Sequence, residues 1–206
     1  MLEAQPARGV AHRRPALLVH GYTGSKENFL PVLEPLAAAG RIVVAVDLRG
    51  QYQSPHAPDR AGYAAEAMAA DVLALADAVP RASGDEAHGV HLVGHSMGGL
   101  IARDAALQRA DGFLSLTLLG SGPGAIGGER AEALLEVLAL LDPTDGMAPD
   151  DLEQLRALVR FAWHDQHEPQ ARAEGADEHI IAFLRERALR TCPISLIVLA
   201  LSLIHI

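Results

Sequence analysis

The sequence Gly94-His95-Ser96-Met97-Gly98-Gly99 stands between an apolar run, 90–93, and a helix-like stretch, 100–109. In a strand, G-x-S-x-G, helix order, the serine lies on a turn so sharp that only small residues fit two positions before and after it. Its hydroxyl points away from both elements, and the N-terminus of the following helix favours negative charge. The pattern predicts that Ser96 is a nucleophile rather than part of a plain structural turn.

A second motif, His20-Gly21-Tyr22-Thr23-Gly24-Ser25, follows a predicted buried strand over 15–19. Acyl transfer through a serine needs two backbone N–H donors aimed at the carbonyl oxygen as it becomes an oxyanion. Met97, the residue after the nucleophile, would supply one donor, and Tyr22 would supply the other. Alone, the second motif would be a strand-ending turn with a capping histidine. Beside the serine motif, it predicts an oxyanion hole.

Together these motifs resemble those of the α/β-hydrolase fold family, in its esterase, lipase and perhydrolase-like group. The resemblance runs from Pro15 to Pro193. A third match, Val46-Asp47-Leu48-Arg49-Gly50 followed by Ser54, is similar to the family's D-x-R-G-x-G-x-S loop, with Tyr52 where a glycine is usual. We expect Asp47 and Arg49 to fix this loop by hydrogen bonds and charge pairing. The resemblance implies an acyl-enzyme on Ser96 and no cofactor.

Strand-like and helix-like segments alternate through the first part of the chain. Strands are predicted at 15–19, 42–46, 90–93 and 113–119, and helices over 27–39 and 63–79. This alternation with short connections predicts an α/β fold with a mostly parallel, doubly wound sheet. Ligands of such sheets bind beyond the carboxyl ends of the strands. His20, Asp47 and Ser96 fall at such ends, so we expect them to share one face of the sheet.

Three segments are predicted along the chain: a hydrolase core over 1–123, a helical lid over 124–190, and the start of a returning core strand over 191–206. The resemblance implies the lid, in which helices are expected at 133–141, 152–163 and 179–189. Phe161 and Trp163 would either face the substrate or pack between lid helices.

A serine hydrolase also needs a histidine base and an acid, and the family's chain order is serine, acid, histidine. None of the ten histidines stands where this order requires it. The expected acidic loop and histidine loop would follow the last predicted strand, so we expect them to lie beyond Ile206. The final residues, 201–206, do not resemble the family and are interpreted as the translation of a wrong reading frame, a vector or a sequencing adapter. The chain as written is therefore expected to be nearly inactive, with its last strands and helix missing.

Composition and charge limit the classes of partner that the chain can bind. The net charge of −9 and the pI near 5.5 argue against nucleic acid, because phosphate contacts need a basic face. The apolar ending, 194–206, is shorter than the ~20 residues of a membrane helix, and no apolar signal segment opens the chain. A cytoplasmic protein is expected. The spacing of His164 and His167 before Glu168 is a weak zinc signal, so no metal is expected.

The sequence predicts a serine-dependent hydrolase of a carboxylic ester or related small-molecule acyl substrate. A cofactor-free perhydrolase or acyltransferase would use the same acyl-enzyme with another acceptor. A non-catalytic fold that binds a ligand is a third possibility, which the expected lack of a base favours and the strained serine turn disfavours. Acyl length and oligomeric state stay open.

Overall fold

A computed structural model describes residues 1–82, 89–122 and 163–205, with a few isolated positions between 127 and 160. Five strands form one sheet in the order β1-β3-β2-β4-β5. Their bounds are Leu2–Ala4 (β1), Arg13–Val19 (β2), Arg41–Val46 (β3), Val90–His95 (β4) and Phe113–Leu119 (β5). β1 runs antiparallel to β3, and the other neighbours pair in parallel. The predicted mostly parallel α/β fold is confirmed.

Parallel pairing brings the strand ends that carry the motifs to one edge. Val19 of β2 lies opposite Val46 of β3 and Gly94 of β4. The residues that follow each of these positions therefore emerge side by side at the carboxyl end of the sheet. This register places the three sequence motifs around a single region.

Helices cover both faces of the sheet. α1 (Leu30–Ala38) lies on one face, where Phe29 and Leu33 pack against the outward side chains of β2 and β3. α2 (Ala65–Ala82) and α3 (Met97–Gln108) cover the other face and contribute Met68, Val72 and Ile101 to the larger core. A helix predicted over 27–39 is split into a 3-10 turn, Lys26–Phe29, and α1, because Pro31 lacks the N–H of a continuing helix.

The second half of the chain adds a small helical unit. A π-helical turn, Trp163–His167, leads into α4 (Glu168–Ala173), and α5 (Glu178–Arg190) follows. Trp163 is buried against Ala171 and Ile181, so it packs between helices as one of the two alternatives predicted. Phe161 lies outside the described residues, and so do most positions of the helices predicted over 133–141 and 152–163.

The prediction that a core strand begins after residue 191 is wrong. Pro193–His205 forms a helix, α6, which starts with proline at a position that needs no N–H partner. Its buried Leu199 and Leu203, four residues apart, join the larger core. A short apolar run fits a buried strand or a buried helix equally well by pattern, and leucine and alanine favour the helix. Among the helices of the described segments, none is long and apolar enough to cross a membrane.

Candidate active site

Ser96 occupies a strained turn between β4 and α3. Its backbone has φ 52° and ψ −122°, while His95 ends the strand and Met97 starts the helix. A non-glycine residue in such a conformation costs on the order of 1–3 kcal/mol and persists only where its surroundings enforce it. The turn is enforced by the Ser96 N–H, which donates to Leu119 O at 2.8 Å, and by the Ser121 hydroxyl, which donates to Ser96 O at 2.8 Å.

The glycines beside Ser96 are required by contact with backbone. A Cβ at Gly94 would lie 2.5 Å from the carbonyl oxygen of Gly98. A Cβ at Gly98 would lie 2.3 Å from the carbonyl oxygen of His20. Both distances are far inside van der Waals contact, and neither neighbour is a side chain that could rotate away. The small residues predicted two before and two after Ser96 therefore let β4, α3 and the end of β2 approach closely.

The loop after β2 lies directly against the serine. A Cβ at Gly21 would be 2.9 Å from Ser96 Cβ, so the two motifs meet. Tyr22 follows in this loop, and its hydroxyl donates to Leu196 O of α6 at 2.9 Å. Met97 is buried at the first position of α3. Within the described parts of the chain, neither the Tyr22 N–H nor the Met97 N–H donates to a protein acceptor.

His20 ties this loop to the neighbouring strand end. The imidazole is fully buried; its Nε2 accepts from the Leu48 N–H at 3.0 Å, and its Nδ1 lies 2.8 Å from Gly21 O. Nδ1 must therefore carry the proton and donate to Gly21 O, because Nε2 is the acceptor. Burial lowers the pKa of His20 to about 4, so the ring is neutral at pH 7. His20 acts as a brace between the two loops and not as a base.

A buried ion pair provides a second tie. The Lys26 Nζ lies 2.7 Å from Asp47 Oδ2, and the Lys26 N–H donates to Asp47 Oδ1 at 2.8 Å. The same ammonium contacts Glu27 at 2.8 Å and Gln53 at 2.9 Å. Asp47 therefore holds both the backbone and the side chain of Lys26 at the end of the loop that follows β2. The predicted loop-fixing role of Asp47 is confirmed, whereas sequence reasoning missed Lys26, which is only 3% exposed.

The third predicted motif also connects to the helical unit. Arg49 donates through Nε to Asp71 of α2 at 2.9 Å, which confirms its charge pairing. Tyr52 has φ 46° at the position where the family has glycine. Its ring meets Phe183 of α5 edge-on with centroids 5.9 Å apart, and its N–H donates to Thr191 Oγ1 at 3.3 Å. Tyr52 thus links the loop after β3 to α5 and to the residue that follows it.

The described residues place no histidine base beside Ser96. Within residues 1–82, 89–122 and 163–205, no histidine or carboxylate side chain hydrogen-bonds to the Ser96 hydroxyl. His164 instead pairs with Glu168 at 3.3 Å, and the His167 ring lies 6.2 Å from that of Trp163. The same described segments contain no cluster of three or more potential metal ligands.

Comparisons with known proteins agree with the fold. The profile of the alpha/beta hydrolase fold family matches residues 15–170. RutD of Variovorax paradoxus (strain S110), provisionally named a carbamate hydrolase, is 36% identical over 186 residues, which are 88% of this chain and 65% of that protein. An sn-1-specific diacylglycerol lipase of Mus musculus is 35% identical over 131 residues, 62% of this chain and 40% of the lipase.

A solved hydrolase structure from Pseudomonas aeruginosa PA01 superposes with a TM-score of 0.64 at 21% identity, over 98% of this chain and 66% of that one. At this identity the likeness concerns the fold alone. The chain spans less than two thirds of the length of the two curated relatives.

Proposed function

Since the chain belongs to the α/β-hydrolase fold family, we propose that it carries the nucleophile and oxyanion hole of a serine hydrolase. The substrate is a carboxylic ester or a related acyl compound. The observation that carries this proposal is the strained backbone of Ser96, held between β4 and the N-terminus of α3 with the loop of Gly21 against it. Strain of this kind serves exposure of a nucleophile and has no use in a plain turn.

The reaction proceeds in two halves. Ser96 Oγ attacks the substrate carbonyl carbon and loses its proton to a base, and the carbonyl oxygen becomes an oxyanion. The N–H groups of Tyr22 and Met97 stabilise this oxyanion; both are free of protein acceptors within the described residues. The tetrahedral intermediate expels the alcohol, which takes the proton back. Water then attacks the acyl-enzyme and gives a proton to the base, and the base returns a proton to Ser96 Oγ as the bond to the acyl group breaks and the acid is released.

The base and acid are proposed to come from the part of the family fold outside the alignment. The aligned residues cover 65% of the Variovorax relative, and the family's order places acid and histidine after the serine. A chain without these groups keeps only the small reaction rate that the oxyanion hole and substrate binding provide. Added imidazole should then accelerate acylation of Ser96, because it supplies the missing proton acceptor.

Active-site labelling tests the nucleophile. A fluorophosphonate should modify Ser96, with imidazole in the buffer, and the Ser96→Ala variant should stay unmodified. Ser115→Ala is the matched control, because Ser115 lies within strand β5 rather than on an elbow, and its Oγ lies 2.8 Å from His91 Nδ1. Labelling that survives in Ser96→Ala, or that disappears in Ser115→Ala, would refute the assignment.

Two other functions use the same observations. Peroxide or an alcohol could replace water as acceptor, and products formed with either present would identify a perhydrolase or acyltransferase. A non-catalytic ligand-binding role is favoured by the lack of a histidine bonded to Ser96 within the described segments. That role predicts ligand binding by calorimetry with no Ser96 adduct under any buffer condition.

The names of the relatives guide the choice of substrate. The Variovorax protein is named for carbamate hydrolysis and the mouse protein for a diacylglycerol, and both compounds present an acyl carbon to a nucleophile. We propose that Ser96 likewise attacks an acyl carbon of a small molecule.

A further inference from the structure

Arg187 lies where α5 contacts the 3-10 turn Lys26–Phe29. This turn follows the loop over 20–25, which holds Tyr22 and is called the oxyanion loop below. Its Nη1 lies 3.5 Å from Asn28 Oδ1, and its guanidinium carbon lies 5.4 Å from the centre of the Phe183 ring. The Phe183 ring in turn contacts the Tyr52 ring, so the ring on which the Arg187 guanidinium lies is itself held in place. The arginine is thus fixed in position from both its own helix and the loop.

Contacts lead from Arg187 to the nucleophile through one short loop. Asn28 Oδ1 lies 3.0 Å from the position of a Cβ on Gly24, and the Gly24 N–H donates to Gly21 O at 3.1 Å. Gly21 in turn abuts Ser96. Arg187 therefore lies against the 3-10 turn that follows the loop of Gly21 and Gly24.

The guanidinium of Arg187 has donors to spare. A guanidinium has five N–H donors, and in the described part of the molecule Arg187 has a single hydrogen-bond partner, at the long distance of 3.5 Å. Glu27 and Asp47 lie close enough for their charges to favour the charged guanidinium, but their direct contacts are with Lys26. Neighbouring arginines on α5 are paired as well: Arg185 with Glu168 and Arg190 with Glu186.

We propose that Arg187 binds a carboxylate of the substrate, so that the site selects esters bearing a second, ionised acid group. This inference rests on the proposed function, since the bound molecule is the one that Ser96 attacks. Arginine binds carboxylate through two parallel N–H···O bonds, which also orient the ligand. Partial burial lowers the pKa of Arg187, as expected for a guanidinium removed from part of its water, and it remains charged at pH 7.

Binding without turnover tests this inference. Isothermal titration of the Ser96→Ala chain would compare monomethyl succinate with the neutral ester methyl butyrate. We expect the anionic ester to bind, and Arg187→Met to weaken its binding roughly tenfold, the range of a charge-assisted hydrogen bond. Methyl butyrate should be unaffected. Arg190→Met is the matched control on the same helix, since Arg190 pairs with Glu186, and it should leave both titrations unchanged.

Arg187→Lys guards against a folding defect, because it keeps the charge and loses the planar fork. In the Ser96→Ala chain, it should bind monomethyl succinate more weakly than the chain with Arg187 intact and more tightly than Arg187→Met. The inference is overturned if the Ser96→Ala chain prefers the neutral ester or binds neither, or if Arg187→Met and Arg190→Met weaken binding equally. None of these results bears on fluorophosphonate labelling of Ser96, so the two proposals fail separately.

Discussion

Replacing Gly98 by alanine is the sharpest perturbation of the elbow. The added Cβ would lie 2.3 Å from His20 O and 2.4 Å from Val19 O. Both are backbone atoms at the end of β2, whose pairing with β3 and β4 prevents them from rotating away. Ordinary contact begins near 3.4 Å, so the start of α3 and the end of β2 must separate by about 1 Å.

That separation opposes a favourable helix propensity. Alanine in a helix interior is better than glycine by up to about 1 kcal/mol, whereas overpacking costs typically 1–3 kcal/mol or more. We expect overpacking to prevail, with a net destabilisation of about 2 kcal/mol and a fall in Tm of about 4–8 °C. The same shift moves the Met97 N–H relative to the loop of Tyr22, and a misplacement of about 1 Å can reduce the reaction rate about 100-fold.

Gly112→Ala is the matched control. The nearest atom to its Cβ would be Arg109 Nη2 at 3.2 Å, the far end of a flexible side chain, so the stability change should stay within about 0.5 kcal/mol. Urea unfolding followed by far-UV circular dichroism measures both variants, and the fluorophosphonate reaction gives the rate at Ser96. A Gly98→Ala variant as stable and as reactive as the unmodified chain would refute the close approach of α3 and β2.

Two further perturbations address the braces behind the oxyanion loop. Lys26→Met leaves Asp47 as a buried carboxylate without its counterion, and should cost about 3 kcal/mol in urea unfolding. Arg49→Met breaks a partly exposed pair with Asp71 and should cost less than about 1 kcal/mol. Equal losses of stability in the two variants would contradict the difference between the buried and the exposed pair. For His20, the folded pKa of about 4 lies below the unfolded value of 6.5, so stability should fall as pH decreases from 6.5 towards 4. This loss amounts to about 2 kcal/mol by pH 5. His20→Asn should lack that portion of the pH dependence, and an identical pH profile in both proteins would be inconsistent with a neutral buried imidazole.

The elbow could be predicted from the sequence because part of its constraint is local. A Cβ at Gly94 would meet the Gly98 carbonyl four residues on, so the spacing of the motif carries this constraint, whereas the close approach of Gly98 to His20 depends on the fold. The parallel sheet followed from alternating apolar runs with short connections. The three-residue strand β1, Leu2–Ala4, was missed because so short a segment shows no usable periodicity.

The braces of the site depend on partners that are distant in sequence. Lys26 is separated from Asp47 by 21 residues, and Arg187 from Asn28 by 159. Lysine is seldom buried unless it is paired, so no local pattern predicts its position. The helix α6 was predicted as a strand because an apolar run has no polar face from which a period could be identified.

Detection of an acyl-enzyme tests the central claim most directly. The chain would be mixed with p-nitrophenyl acetate and imidazole, quenched in acid, and digested for peptide mass spectrometry. The account predicts an acetyl group on Ser96 that is absent from the Ser96→Ala variant and retained in Ser115→Ala. An acetyl group found only on other residues would contradict the proposal that Ser96 is the nucleophile. The same holds if no adduct forms and the chain and its Ser96→Ala variant release p-nitrophenol at equal rates.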